Sequence, residues 1–333
     1  MPTAIAQGAG IDENTGVLEV GPGIGTLTIA LLKHAASVIA IERDPDLPAV
    51  LADTLHPWRE KFALIEKDAL DVTRDDIVAA MVEIGGDTGY PDRASSAANE
   101  TAQWAVSQSE DCLSESGYPV APPQEDLQLS LPSKLVANLP YAVAATVVLD
   151  YFESFPFLDS ATIMVQKEVA DRMAAAVGTK NYGAYTVKLG LYAEPVGRFA
   201  VGPGNFFPPP RVDSAVIRLN RRVPLMADGA PASPEVIAAA ALMADAAFTN
   251  RRKTIANSCK TYFSGRGPIL LGVADSSAAE GAPTIALPDG AATAERLPAI
   301  FEAAAIDPRR RGETLTQQEF LALGAALLRV TAA

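Results

Sequence analysis

Along its first stretch the chain alternates short apolar runs with segments of helical spacing. Val17-Leu18-Glu19-Val20 is an apolar run cut off by Gly21-Pro22-Gly23-Ile24-Gly25, and Leu27 to His34 follows with helix-like spacing, which predicts strand, tight turn and helix. Upstream, Ala4 to Gly10 reads as the end of a helix stopped by Gly8 or Gly10. Ser37 to Ile41 predicts a second strand ending in Glu42, Leu47 to Leu55 a helix, and Phe62 to Glu66 a third strand running into Lys67-Asp68-Ala69-Leu70. Three β-α units with acids at successive strand ends predict an α/β fold with a parallel, doubly wound sheet.

The pattern lapses between about 83 and 130, where Gly, Ser, Pro and acids dominate, and an exposed insertion is expected. It resumes with a strand at Lys134–Ala137 that runs into Asn138-Leu139-Pro140-Tyr141, a helix over Ala144–Phe155, a strand at Ser160–Val165 and a helix start from Gln166. Lys180 to Tyr185 reads as a loop leading to a further helix or strand. Phe199-Ala200-Val201 precedes Gly202 to Ser214, whose Pro208-Pro209-Pro210 makes a stiff extended segment able to present Phe206 or Phe207. Ala215 to Leu219 is expected to be the last strand. Three parts follow: residues 1–222 with an acidic insertion at about 75–131, a Pro/Ala/Gly linker at 223–233, and a small helical domain at 234–333 with a low-complexity insertion at about 265–295.

Composition changes this picture in two places. Of 333 residues 49% are hydrophobic and 20% charged, ordinary for a globular protein large enough for two domains. No apolar run is long enough to span a membrane, and no basic region followed by an apolar core opens the chain. Cys112 and Cys259 lie in unrelated contexts, which suits a reducing, cytoplasmic setting and gives no zinc site; no metal is expected. The net charge of −13 argues against a nucleic-acid partner. Its distribution weakens that argument, because residues 75–130 hold eleven acids against Arg93 and leave the rest of the chain close to neutral. Arg251-Arg252-Lys253, in a helix-like stretch, and Arg309-Arg310-Arg311 are then candidates for RNA phosphates.

The chemistry is concentrated at the strand ends. Glycine allows positive φ and close backbone approach, so the turn after Val20 is suited to a nucleotide-like ligand. Glu42, about 20 residues beyond it, holds the position that bonds ribose hydroxyls in such folds. Asp68 sits at the same edge. Asn138 offers an amide donor and acceptor, Pro140 fixes the backbone, and Tyr141 offers a flat face, together able to grip and stack a base that carries an exocyclic amine. His34 and His56 lie on surface-like segments and are expected to be bystanders.

With Val17–Gly25, Glu42, Lys67–Leu70, Asn138–Tyr141, Phe206–Ser214, Phe248–Thr254 and Arg311–Leu315 in this order, the chain resembles the ribosomal RNA adenine N6-dimethyltransferase family. The resemblance implies a seven-stranded S-adenosylmethionine-dependent, Rossmann-like domain followed by a small helical domain. Glu19, Gly21 and Gly23 would line the methionine end of the cofactor, Glu42 its ribose, and Asp68 with the Ala69 backbone its adenine. Asn138 and the Leu139–Pro140 backbone would bind the target N6 amine, with Tyr141 and Phe206 on the two faces of a flipped base. The activity implied is dimethylation of two adjacent adenosines near the 3′ end of small-subunit rRNA, within an immature small subunit, by a monomer. The hydrogen bonds would favour a more tetrahedral nitrogen and free its lone pair, with the sulfonium methyl in line and no histidine base needed.

The family pattern opens with a basic segment containing Gln-x-Phe-Leu, which the residues before Val17 lack. The expectation is a native start upstream of Met1, and weak cofactor binding by the polypeptide as written. Large-subunit rRNA dimethylation conferring antibiotic resistance is the alternative within this chemistry, and a non-catalytic assembly factor is the alternative outside it. A nicotinamide dehydrogenase would leave Asn138–Tyr141 without a purpose and ranks last.

Overall fold

The computed structural model describes residues 1–84, 131–140, 142–205, 212–272 and 284–332. Seven strands form one sheet in the order β3-β2-β1-β4-β5-β7-β6, and the chain divides into two compact units, Met1–Leu139 and Pro140–Ala333.

The first unit runs α1 (Pro2–Gly8), β1 (Gly16–Val20), α2 (Thr26–Leu32), β2 (Ser37–Glu42), α3 (Leu47–Thr54), β3 (Phe62–Glu66), α4 (Arg74–Ile84) and β4 (Lys134–Asn138). β1 pairs in parallel with β2 and with β4, and β2 pairs in parallel with β3. Leu18 faces Ile39 on one side and Leu135 on the other. Parallel strands covered on both faces read as continuous apolar runs, and Val38 to Ile41 are all buried. The common direction brings the C-terminal ends of all four strands to one edge.

α4 departs from the expectation, which placed these residues in the acidic insertion. Thr73 and Asp76 cap the helix reciprocally: the Thr73 amide donates to Asp76 Oδ2 at 2.9 Å, and the Asp76 amide donates to Thr73 Oγ1 at 3.3 Å. Ile77 and Ala80 are buried. The acids Asp75 and Asp76 lie in its first turn, where the helix dipole favours them. The insertion's remaining residues, 85–130, lie outside the described residues.

The second unit begins with α5 (Ala144–Ser154), β5 (Ser160–Gln166), α6 (Lys167–Met173), α7 (Ala184–Gly190), β6 (Ala193–Val201) and β7 (Ser214–Arg221). β7 lies antiparallel between β5 and β6. The Arg221 side chain donates to the carbonyls of Leu158, Phe152 and Phe155 at 2.6, 2.9 and 2.7 Å, tying the turn after α5 to the end of β7. Burial lowers its pKa to about 10, so it stays charged near neutrality.

α8 (Pro234–Phe248), α9 (Ile255–Phe263), β8 (Pro268–Gly272), β9 (Thr284–Asp289), α10 (Gly290–Ala303) and α11 (Gln317–Ala332) complete this unit. Their core holds Met243, Ile255, Phe263, Leu297, Phe301 and Phe320 together with Tyr182 and Val187 from the region of α7. The buried Tyr182 hydroxyl donates to the Leu315 carbonyl at 2.8 Å. The segment expected as a linker is a tight turn, in which the Met226 amide donates to the Ala230 carbonyl at 2.7 Å and Gly229 takes φ 84°. The low-complexity insertion expected at 265–295 contains β8 and β9, paired antiparallel, and the start of α10, capped by Asp289 through the Ala292 amide at 2.8 Å. Among the described residues no helix is long and apolar enough to cross a membrane.

Candidate active site

The turn after β1 is built by three glycines in the left-handed region, Gly21, Gly23 and Gly25, at φ 69°, 57° and 85°. The Gly21 amide donates to the Ile41 carbonyl at 2.9 Å, anchoring the turn to β2. The last two glycines serve different ends. A Cβ on Gly23 would meet nothing within 4 Å, so the turn has open space at this position. A Cβ on Gly25 would come within 3.3 Å of Leu51 and 3.4 Å of Leu55, so that position lets the turn close onto α3.

Glu19, two residues before this turn on β1, is 1% exposed, and its Oε2 makes no hydrogen bond among the described residues. Burial pushes its carboxyl up to about 8, and the nearby Thr28 hydroxyl offsets only part of that rise. Neither Glu19 Oε2 nor Thr28 Oγ1 makes a well-formed hydrogen bond among the described residues. The Glu42 carboxylate, at the tip of β2, accepts from the amides of Arg43 and Asp44, both at 3.0 Å. Asp68 follows β3 and caps a short 3-10 turn by accepting from the Leu70 amide at 3.1 Å. Its other oxygen pairs with Arg43 Nη1 at 3.0 Å. The Leu70 amide and then Arg43 hold the Asp68 carboxyl below its usual range. Ala69, next to it, is buried.

Arg43 is the residue that sequence reasoning missed. Its amide meets the Glu42 carboxylate and its guanidinium meets Asp68, so one residue joins the two strand-end acids. A base immediately after the acid of one parallel strand, opposite the acid after its neighbour, was the available signal.

Asn138 ends β4 at the same edge and is exposed, while Leu139 behind it is 1% exposed. The Pro140 carbonyl accepts from the amides of Val143 and Ala144 at 3.2 and 3.1 Å and so starts α5. The first unit therefore brings Glu19, Gly21, Gly23, Glu42, Asp68, Ala69 and Asn138 to the C-terminal ends of four parallel strands. Tyr141 and Phe206 lie outside the described residues.

The basic candidates are placed differently from the expectation. Arg251, Arg252 and Lys253 lie in the turn between α8 and α9 rather than within a helix. The Ile255 amide donates to the Arg310 carbonyl at 2.7 Å and the Ala256 amide to the Pro308 carbonyl at 3.2 Å, which sets the two basic runs side by side. Arg251 is committed internally, to Glu313 at 3.0 Å and to the carbonyls of Tyr182 and Thr179 at 2.7 and 2.9 Å. Arg310 is likewise held by Glu319 and by the Thr314 carbonyl. Arg309 makes an exposed pair with Asp307 at 3.1 Å. Arg252, Lys253 and Arg311 are exposed and make no ion pair among the described residues.

Residues 3–280 match the family model for ribosomal RNA adenine dimethylase. A protein of Corynebacterium jeikeium named ribosomal RNA small subunit methyltransferase A is 32% identical over 98% of this chain and 85% of its own length. A protein of the same name from Bifidobacterium longum is 33% identical over 97% of this chain and 82% of its own. Among solved structures, a dimethyladenosine transferase from Plasmodium falciparum superposes with TM-score 0.58 at 19% identity, over 97% of this chain and 93% of that one. The 23S rRNA methyltransferase ErmE superposes with TM-score 0.54 at 20% identity, over 98% and 96%. The sheet, with its glycine turn and strand-end acids, is that of an S-adenosylmethionine-dependent methyltransferase of Rossmann-like fold. Within that class the chain belongs to the ribosomal RNA adenine dimethylase family, whose members are rRNA adenine dimethyltransferases.

The residues present fit the cofactor. A buried carboxyl with an oxygen lacking a partner, open space over Gly23, and two carboxylates at neighbouring strand ends match the ammonium, hydroxyl and amine donors that the molecule carries.

Proposed function

We propose that this chain dimethylates N6 of two adjacent adenosines near the 3′ end of small-subunit rRNA, acting on an immature small subunit as a monomer. The observation that carries the choice of subunit is the run of relatives named for the small subunit, 32–33% identical over nearly the whole chain. The bound cofactor supplies the methyl group from its sulfonium.

The roles are those that the family resemblance implies, and placement at the strand ends supports them. Glu19, Gly21 and Gly23 hold the methionine end, Glu42 the ribose, and Asp68 with Ala69 the adenine. Asn138 is exposed at the sheet edge with its side-chain oxygen suited to an N–H of the target amine. The Pro140 carbonyl is taken by the start of α5, so the Leu139 carbonyl is the second acceptor. Two hydrogen bonds accepted from the amine draw its nitrogen toward tetrahedral geometry and expose the lone pair to the methyl group. Tyr141 and Phe206 stack the base, a reading that rests on sequence alone. Residues 1–222 carry the chemistry, and residues 234–333, joined through 223–233, carry phosphate contacts through Arg252, Lys253, Arg309 and Arg311.

The test is to incubate the purified chain and S-adenosylmethionine with small and large subunits from a strain lacking the modification, then map dimethyladenosine by primer extension. Two adjacent stops near the 3′ end of the small-subunit rRNA are expected, and Asn138→Ala should lower the rate by roughly a hundredfold, the scale of losing one hydrogen bond made in the transition state. Modification confined to large-subunit rRNA would overturn the choice of subunit. An undiminished rate for Asn138→Ala would overturn the assignment of the amine site.

A further inference from the structure

Glu19 is an anomaly among the described carboxyls. It is 1% exposed at the end of a central strand, its Oε2 has no hydrogen-bond partner among the described residues, and the glycine turn that follows it in sequence has open space at Gly23. Among the described residues its surroundings offer no compensating charge. β2 places Ala40 opposite it, β4 places Leu135 opposite the preceding Leu18, and α2 contributes the neutral Thr28. No charged side chain on any of these elements contributes to its titration, and the nearest strand-end charges, Glu42, Arg43 and Asp68, are satisfied by one another and by backbone amides. A carboxylate buried in a strand with no cation beside it among the described residues is unfavourable, so the group holds its proton until a cation arrives.

We infer that Glu19 is protonated in the cofactor-free protein and releases that proton to solvent when the α-ammonium of the cofactor's methionine end binds, so that cofactor uptake is proton-linked and selects for the ammonium by charge. The inference rests on the proposed cofactor site. It concerns which protonation state that site adopts, and which part of the ligand changes it.

Linkage gives the expected size. With a free-protein pKa of about 8, the ionised fraction rises about tenfold per pH unit below that value. Affinity for S-adenosylmethionine should therefore rise about tenfold from pH 6 to pH 7, pass through a maximum near pH 8, and fall at higher pH as the ligand's own ammonium loses its proton. Titration calorimetry at pH 7 in buffers of different ionisation enthalpy should report release of close to one proton. S-adenosylhomocysteine, which keeps the ammonium but lacks the sulfonium charge, should release the same proton. 5′-Methylthioadenosine, which lacks the amino-acid end, should bind with no release. Glu19→Gln should bind the first two more weakly and with no proton linkage.

Each outcome decides. Normal binding with no buffer dependence, or the same release with 5′-methylthioadenosine, would overturn the inference and leave the cofactor site standing. A Glu19→Gln protein that binds and still releases the proton would assign it to another group. If no S-adenosyl compound binds at any pH, the cofactor site and the inference both fall. The wild-type pH series and the 5′-methylthioadenosine arm decide the question even if Glu19→Gln does not fold.

Discussion

At the scale of single residues, the free protein keeps a carboxyl where folding alone would not favour one. Glu19 has a folded-state pKa of about 8 against an ordinary 4.5, so its burial is tolerated below pH 4.5 and becomes progressively unfavourable as the pH rises through 8. The cost near pH 8 is on the order of 3 kcal/mol or more, from the size of the shift. Glu19→Gln, which keeps the shape without the titration, should therefore match the wild type in urea unfolding at pH 4.5 and exceed it by a few kcal/mol at pH 8, both measured without cofactor. Equal stability at both pH values would mean that Glu19 is solvated in the folded protein. The position of Glu19 was legible in the sequence, because it lies two residues before the glycine turn. Its state was not, since an apolar run shows that both faces of a strand are covered but not which groups meet the one carboxyl within it. Arg43 escaped for the converse reason: it looks like a solvated strand-end charge, and only the register of β2 against β3 brings it to Asp68.

At the scale of elements, the β-α alternation of the first unit up to β3, and its last strand β4, were legible almost to the residue, because parallel strands buried on both faces are long apolar runs; α4 was not. The second half was harder to read. α8 is rich in alanine and carries little amphipathic signal, yet Ala239, Ala240, Met243, Ala244 and Ala247 are all buried. Its partner α11 supplies the reason. A Cβ on Gly324 would lie 2.6 Å from the Ala240 amide nitrogen and 2.6 Å from the Val236 carbonyl oxygen, so the two helices touch backbone to backbone. Small residues here mark close helix approach rather than low complexity. In an exposed helix Gly→Ala gains up to about 1 kcal/mol; at Gly324 the sign should reverse, with a loss of about 1–3 kcal/mol from overpacking against rigid backbone. Urea unfolding of Gly324→Ala checks this, and a variant at least as stable as the wild type would refute the close packing. β8 and β9 were hidden by the same compositional bias. α4 was hidden by its acids, which counted toward the charge of an insertion while Thr73 and Asp76 were capping a helix.

At the scale of the whole molecule, the charge of −13 and a phosphate-rich partner have to be reconciled. Most of the excess lies in residues 75–130, so the sign of the total says little about the surface that would meet RNA. The hydrogen bonds from Ile255 to Arg310 and from Ala256 to Pro308 bring two basic runs, more than fifty residues apart in sequence, to one place. Sequence could name the six bases but not divide them. Arg251 and Arg310 are held by Glu313 and Glu319 and position the turn, whereas Arg252, Lys253 and Arg311 are exposed without such partners among the described residues, and Arg309 makes a surface pair of small energetic worth. The two groups should therefore respond differently to substitution. Arg252→Ala with Lys253→Ala should weaken binding to small-subunit particles without altering unfolding by urea, and should reduce the slope of log affinity against log salt by about 1.5 to 2, the contribution of two phosphate contacts. Arg251→Ala should instead destabilise the second unit, because Glu313 and the carbonyls of Thr179 and Tyr182 lose their donor, by about 1–3 kcal/mol. Salt-dependent binding and urea unfolding of both variants separate the cases. An unchanged salt slope in the double variant would move the RNA surface elsewhere on the molecule.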